Sequence, residues 1–340
     1  MPSTKTSRRT GVRARIALPS IPATMRAAVI NRFGDSSVFS IEAVPMPRHG
    51  SDEVLIALSA AGVGTWDPWL RSGGEADGEA EFPLVLGTDG AGTVVAAGAK
   101  VTRLAVGDRV YSYTFNNPKG GFYAEYVAVP AAKVARIPGR LDTIRAGVVP
   151  AIGLTALQGV DDALRIRDGE SVVIHGASGN VGMLALQFAK LRGARVLAIA
   201  SGRDGVELVR RLGADVAVDG RSDDIDGALE KFAPDGVDAV LAFAGGKELT
   251  RVLDHVIKGG RLAYPNGIEH EPRKRRGLRI TNFDAQSGVR PLERLGVAIE
   301  QSRLEVPIAA TFPLEDVARA HQLVEKGHLV GAVVLDVSAQ

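Results

Sequence analysis

Three small residues at a fixed spacing carry the first chemistry legible in this chain: Ala177, Gly179 and Gly182. They stand where a G-x-G-x-x-G turn has its glycines. Upstream, residues 171–174 form an apolar run weighted toward β-branched types, the pattern of a strand covered on both faces. Downstream, Leu184, Phe188 and Leu191 recur on neighbouring helical turns. A strand feeding such a turn into a helix N-terminus offers bare N–H groups and the positive end of the helix dipole to an anion. Gly179 lets the backbone approach phosphates, and Gly182 lets the helix pack on the strand. With Ser178, Asn180 and Val181 around them, these residues read as a dinucleotide pyrophosphate cradle. Ala177 departs from the pattern, and an ordinary strand, turn and helix is the competing reading.

A second group follows the next strand, 195–200. An NAD-selective site places an Asp or Glu there, to bond the ribose 2′-OH and repel a 2′-phosphate. This chain has Ser201, Gly202 and Arg203. A hydroxyl and a guanidinium suit a phosphate dianion, which points to NADPH. Arg203 also reads as a solvated residue at a helix start, and Asp204 beside it weighs the other way.

The elements that must hold these residues change rhythm near residue 150. Before it, short strands at 25–30, 54–58, 92–97 and 109–113 are punctuated by glycine and proline, as in a β-rich, barrel-like unit. Residues 70–84, with Gly73-Gly74, Asp77-Gly78 and Pro83, read as a polar loop overhanging a cleft. After it, strands and helices alternate: strands 171–175, 195–200, 216–218, 237–243, 260–264 and 278–283, with helices 180–192, 204–212, 224–232 and 247–257 between them. That alternation implies an α/β fold with a doubly wound parallel sheet. Phe243, Ala244, Tyr264 and Asn266 end successive strands, where ligands collect at the carboxyl edge. A helix at 291–302, a helix at 314–326 and a strand at 332–337 return to the first unit. The expected division is a leader 1–24, a first unit 25–150, the parallel-sheet unit 151–284 and a return 285–340.

Composition bounds the rest. The chain has 340 residues and a formal charge of +2. Residues 1–24 hold five basic residues and no acid, leaving 36 basic against 39 acidic residues beyond them. The body is slightly acidic, so a nucleic-acid face is not the first expectation. The leader reads as a disordered basic extension, with a transit-like leader as the alternative. No apolar run is expected to cross a membrane, and a cytoplasmic location is expected. The chain has no cysteine, so thiol nucleophiles and thiolate metal sites are excluded. The histidines make no ligand set: His175 reads as a packed strand residue, and His270, His321 and His328 as surface residues. The run Arg273-Lys-Arg-Arg276 reads as a solvated loop.

The chain also resembles a known family. Its landmarks are Gly62-Val-Gly-Thr-Trp-Asp67 with Leu70-Arg-Ser-Gly73, Gly87-Thr-Asp-Gly-Ala-Gly92, Val106-Gly-Asp-Arg-Val110 and Gly121-Phe-Tyr-Ala-Glu-Tyr126, followed by Gly153-Leu-Thr-Ala156, Ala177-Ser-Gly-Asn-Val-Gly182 and Leu212-Gly-Ala-Asp215. In this order they are similar to zinc-independent medium-chain dehydrogenases/reductases of the zeta-crystallin-like NADPH:quinone oxidoreductase branch. The resemblance implies a GroES-like catalytic domain beside a Rossmann-type domain, with a cleft between them, and Thr155 near the nicotinamide. Zinc-dependent relatives use Cys and His where this chain has Thr65, Asp67 and Thr88-Asp89, so no metal site is expected. It implies a substrate wall of Thr65, Trp66, Trp69 and Phe82, and a homodimer paired through strands near 260–283. Gly64, Trp69 and Ala242 depart from the family's usual Asn, Tyr and Asp. Asp67 and Tyr123 remain as candidate acids, Tyr123 reading more readily as a packed strand residue than as an acid.

The expected activity is hydride transfer from NADPH to a quinone or an α,β-unsaturated carbonyl, acceptors whose conjugation stabilises the developing anion. The alternatives are an enoyl reductase acting on acyl-carrier substrates and an NADPH-binding sensor or nucleic-acid-contacting protein.

Overall fold

The computed structural model describes residues 21–74 and 81–338. Most of the basic leader and the middle of the expected overhanging loop lie outside the described residues.

The first half is built on one long strand. β1 (Thr24–Ile30) pairs antiparallel with β2 (Phe39–Pro45). β3 (Glu53–Val63) follows and leads into the short helix α1 (Asp67–Arg71). β4 (Leu84–Val85) joins β1 in a three-stranded sheet. β5 (Asp89–Ala97), β6 (Arg109–Tyr113), β7 (Tyr126–Pro130) and β8 (Val134–Arg136) build a second sheet around β3. Along β3, Val54, Ile56 and Leu58 turn to one buried face with Val94, Val110 and Val127.

α2 (Thr143–Gln158) is the element that periodicity hides. Twelve of its residues are buried, so it is apolar on nearly every side and shows no stripe. It runs unbroken across residue 150, so the change of rhythm falls inside a helix rather than at a linker. With the π-helical turn Gly159–Leu164 it forms a stretch of 22 residues that is long and apolar enough to cross a membrane. This corrects the expectation of no such run: 78% of its most apolar window is buried inside the protein, where it packs on β3 and β5.

The second sheet system is parallel. β9 (Ser171–His175), α3 (Gly182–Leu191), β10 (Arg195–Ala200), α4 (Gly202–Arg211) and β11 (Val216–Asp219) form its first half. α5 (Ile225–Phe232), β12 (Val237–Ala242), α6 (Lys247–Asp254), β13 (Val256–Pro265) and β14 (Arg279–Phe283) form the second. The order β11-β10-β9-β12-β13-β14 is that of the dinucleotide-binding doubly wound sheet. All five residues of β9 are buried, as its apolar run requires. The strand order reverses between β9 and β12, and a crevice opens at their carboxyl ends.

α7 (Val289–Ser302) packs Leu292, Leu295 and Ile299 into the core shared with α2 and α3. β15 (Ile308–Pro313), α8 (Val317–Glu325) and β16 (Ala332–Asp336) end the chain. β16 pairs antiparallel with β3, so these last strands complete the sheet begun by residues 53–63.

Candidate active site

The cofactor end is built from β9 outward. His175 is 6% exposed, with Nδ1 2.8 Å from the Ala244 carbonyl. Burial lowers its pKa, so a neutral imidazole ties β9 to the turn after β12. The chain then reverses: the N–H groups of Gly176 and Ala177 both donate to the Ile199 carbonyl, at 3.0 and 2.9 Å. A Cβ on Gly182 would lie 2.2 Å from the Gly176 carbonyl oxygen, so only glycine fits there. A Cβ on Gly179 would meet only that same oxygen, at 3.4 Å. The space above Gly179 is open, as a phosphate cradle requires. Buried Ser178 accepts the Ser201 N–H at 3.3 Å and joins the cradle to the end of β10. Asn180 Oδ1 accepts the Val181 N–H at 2.8 Å. These residues fit a dinucleotide pyrophosphate.

The other expected cofactor residues divide. Ser201 precedes α4, and the Gly202 N–H donates to Asp219 Oδ1 at 3.0 Å. Arg203 has a side chain 93% exposed, 3.1 Å from Glu207, and is accessible to a ligand. Phe243 and Ala244 flank the switch point, and the Phe243 N–H donates to the His175 carbonyl at 2.9 Å. Thr155 is half-buried on α2 and gives its hydroxyl to the Ala151 carbonyl at 2.9 Å. Tyr264 is 7% exposed. It shares the face of Leu262 on β13 and packs into the core with Val173 and Val240, because alternate strand residues point the same way. Asn266 is exposed, but its side chain is engaged with Asp284 and Asn282, at 2.6 and 3.0 Å.

The substrate end gathers around α1. Thr65 is exposed, and half-buried Trp66 donates its Nε1–H to Thr88 Oγ1 at 3.0 Å. Trp69 and Phe82 are 46% and 38% exposed, and Phe82 meets Phe33 edge-on at 5.2 Å. These aromatic groups form an accessible wall.

The two candidate acids are placed differently from the expectation. Asp67 and Tyr123 are both at 0% exposure. The Tyr123 hydroxyl donates to Asp67 Oδ2 at 2.7 Å, and the Gly64 N–H donates to the same oxygen at 2.7 Å. Asp67 Oδ1 is buried without a partner. Burial pushes the Asp67 carboxyl up to about 7. Burial and then the neighbouring Asp67 push the Tyr123 phenol well above its usual range. Neither group presents an atom to the crevice. The reason is local: the Tyr123 carbonyl accepts from Ala28 and its N–H donates to Leu86, so its ring turns inward. The pair ties the start of α1 to the Gly64 backbone and to Tyr123.

Sequence reasoning missed the groups that back this pair. Asp89, 2% exposed, accepts the Ala151 N–H at 3.0 Å, next to Pro150 inside α2. Burial pushes its pKa well up. Arg71, on α1, donates to the Gly34 carbonyl at 3.0 Å and to Glu325 Oε1 at 2.6 Å, with Nη1 3.2 Å from His321 Nδ1. His321, expected at the surface, is at 0% exposure, and burial and then Arg71 lower its pKa to about 3. No spacing signals a contact between residues 250 apart.

Two family models match the chain. One, described as an alcohol dehydrogenase GroES-like domain, covers residues 50–139; the other, described as a zinc-binding dehydrogenase, covers residues 212–335. A quinone oxidoreductase of Lama guanicoe is 30% identical over 326 residues, spanning 92% of this chain and 97% of that one. The chain belongs to the medium-chain dehydrogenase/reductase family, in its quinone oxidoreductase branch. An NADPH-dependent alkenal/one oxidoreductase of Arabidopsis thaliana chloroplasts is 31% identical, over 93% of this chain and 80% of that one. The crystal structure of an NAD-dependent alcohol dehydrogenase superposes with a TM-score of 0.85 at 30% identity, covering 92% and 100% of the two chains. Membership makes this protein an oxidoreductase with a GroES-like and a doubly wound part.

Proposed function

We propose that the protein is an NADPH-dependent reductase that reduces quinones or α,β-unsaturated carbonyls without zinc. The observation that carries this reading is the pairing of an open phosphate cradle with a substrate wall that holds no metal-ligand set. The chain has no cysteine, and among the described residues no group of three or more His, Asp or Glu could hold a metal ion. An acceptor must therefore bring its own means of stabilising negative charge, which conjugated carbonyls and quinones do. Ser201 and the exposed Arg203 support a 2′-phosphate, and the similarity to an NADPH-dependent alkenal/one oxidoreductase agrees with both halves of the proposal.

NADPH, when bound, supplies the hydride. The chain's own share is to orient, exclude water and bond the developing oxyanion. Ser178, Gly179 and Gly182 hold the pyrophosphate, while Trp66 and Trp69 wall off the acceptor. With Asp67 and Tyr123 enclosed, we assign the proton to water. A homodimer is part of the proposal: β14 ends the parallel sheet and has no strand on its outer side among the described residues. The test is a screen of NADPH oxidation across quinones, enones, enals and saturated ketones. Turnover of the conjugated acceptors is expected; turnover of saturated ketones alone overturns the mechanism.

A further inference from the structure

The segment after α8 reaches across to the start of α4. His328 takes a left-handed backbone, φ +51°, and sets its Nε2 3.4 Å from Asp204 Oδ1. Its ring lies against the Gly202 backbone, where a Cβ would be 3.1 Å from His328 Cε1. α8 and β16 belong with the sheet on β3, whereas α4 follows β10 of the parallel sheet. A side chain from the far end of the sequence thus stands beside Ser201-Gly202-Arg203.

We propose that His328 is a specificity-determining residue that favours the 2′-phosphate of the dinucleotide by covering Asp204. This rests on the NADPH reading above. The charges around Gly202 explain why such a residue is needed. Asp204, Glu207 and Asp219 are acidic, and Arg203 and Arg221 are basic. Asp219 Oδ1 is occupied by the Gly202 and Arg221 N–H groups, at 3.0 Å each. Glu207 faces Arg203 at 3.1 Å. Asp204 Oδ1 accepts the Gly205 N–H at 2.9 Å, but its side chain stays 61% exposed. Uncovered, it would repel a phosphate dianion as an acid at the strand end does in NAD-selective sites. His328 sets its Nε2 against this carboxylate, while Arg203 offers a guanidinium.

The test is titration of the full-length protein with NADPH and with NADH, for wild type, H328N and D204N. Asparagine tolerates a left-handed backbone, and the NADH affinity reports whether the site is intact. H328N is expected to weaken NADPH binding by about tenfold, because Asp204 is then left facing the phosphate, with NADH changed by less than about twofold. D204N is expected to tighten NADPH binding, and H328N in that background is expected to cost less than in wild type. Equal weakening of both cofactors by H328N, or no weakening of either, overturns the proposal. A wild type that prefers NADPH while H328N leaves the preference intact overturns this inference alone. A wild type that binds NADH as tightly as NADPH overturns the NADPH reading and this inference together.

Discussion

Replacing Asp67 with asparagine separates a buried structural acid from a catalytic one. Asp67 Oδ2 takes two hydrogen bonds, from Tyr123 and Gly64, while Oδ1 takes none. Burial holds the folded carboxyl up to about 7, against 3.8 for a free aspartate. Ionising it in the folded state is therefore harder by about 4 kcal/mol. The unfolded chain releases this proton near 3.8 and the folded chain keeps it until about 7. Between those values the unfolded state binds fewer protons, so stability falls as pH rises. The penalty is absent below the lower value and complete above the upper one. Integrated from pH 5 to pH 8, it amounts to about 2–3 kcal/mol. Asp67→Asn keeps the acceptor for Tyr123 and Gly64 and removes the titration. Urea unfolding at the two pH values should show the variant gaining about 2–3 kcal/mol on wild type at pH 8 relative to pH 5. At pH 7, kcat for NADPH-dependent turnover should stay within about threefold of wild type. Parallel pH profiles for the two proteins would refute the buried-acid argument. A hundredfold loss of kcat with parallel profiles would return Asp67 to catalysis.

His321 carries the opposite sign. Its folded pKa is lowered from 6.5 to about 3, so the unfolded chain takes up the proton first and stability falls as pH drops through 6.5 toward 3. At pH 5 the loss is about 2 kcal/mol; His321→Gln, which keeps an acceptor for Arg71, should flatten the acid limb of a denaturation series, and an unchanged limb refutes the assignment. The cradle glycines predict different failures. Gly182→Ala puts a Cβ 2.2 Å from a backbone oxygen and should lower both the melting temperature and dinucleotide affinity. Gly179→Ala fills only open space and should weaken binding by about tenfold or more at an unchanged melting temperature, so equal loss of stability in both variants contradicts the cradle geometry.

Local pattern was enough wherever a residue's neighbours in sequence were also its neighbours in space. β6, β9 and β10 match their expected bounds, because alternation or a β-branched run over a few residues defines a strand. The cradle was legible for the same reason. α2 was not, because burial on all sides erases the stripe from which a helix is read. β2, β7 and β15 were also passed over, and β15 is half-exposed along its length, with no apolar run to mark it. At the site, Thr65, Trp66 and Trp69 fall where the motif set them, but the motif cannot say which way a side chain turns. Asp67 and Tyr123 turn inward because β1 and the segment at Leu86 hold the Tyr123 backbone from both sides. Arg71, His321 and Glu325 meet only in the folded chain, so no reading of spacing could pair them.

That last contact bears on how the crevice keeps its geometry. Glu325 closes α8 and binds Arg71 of α1, the helix that follows Trp66 and carries Trp69. Three residues later, His328 meets Asp204 in the first turn of α4. One short segment therefore touches both the helix that carries Trp69 and the start of α4. Arg71 cannot shift freely, since its side chain is 3% exposed and anchored to Gly34, His321 and Glu325. Hydride transfer requires reacting atoms about 3–3.5 Å apart, and a displacement of about 1 Å is worth roughly a hundredfold in rate. The sheets that carry the wall and the cradle share one core, to which Ala60, Ala91, Val172 and Ile174 all belong. The segment from Glu325 to His328 adds side-chain contacts on both sides of that core, Arg71 on one and Asp204 on the other.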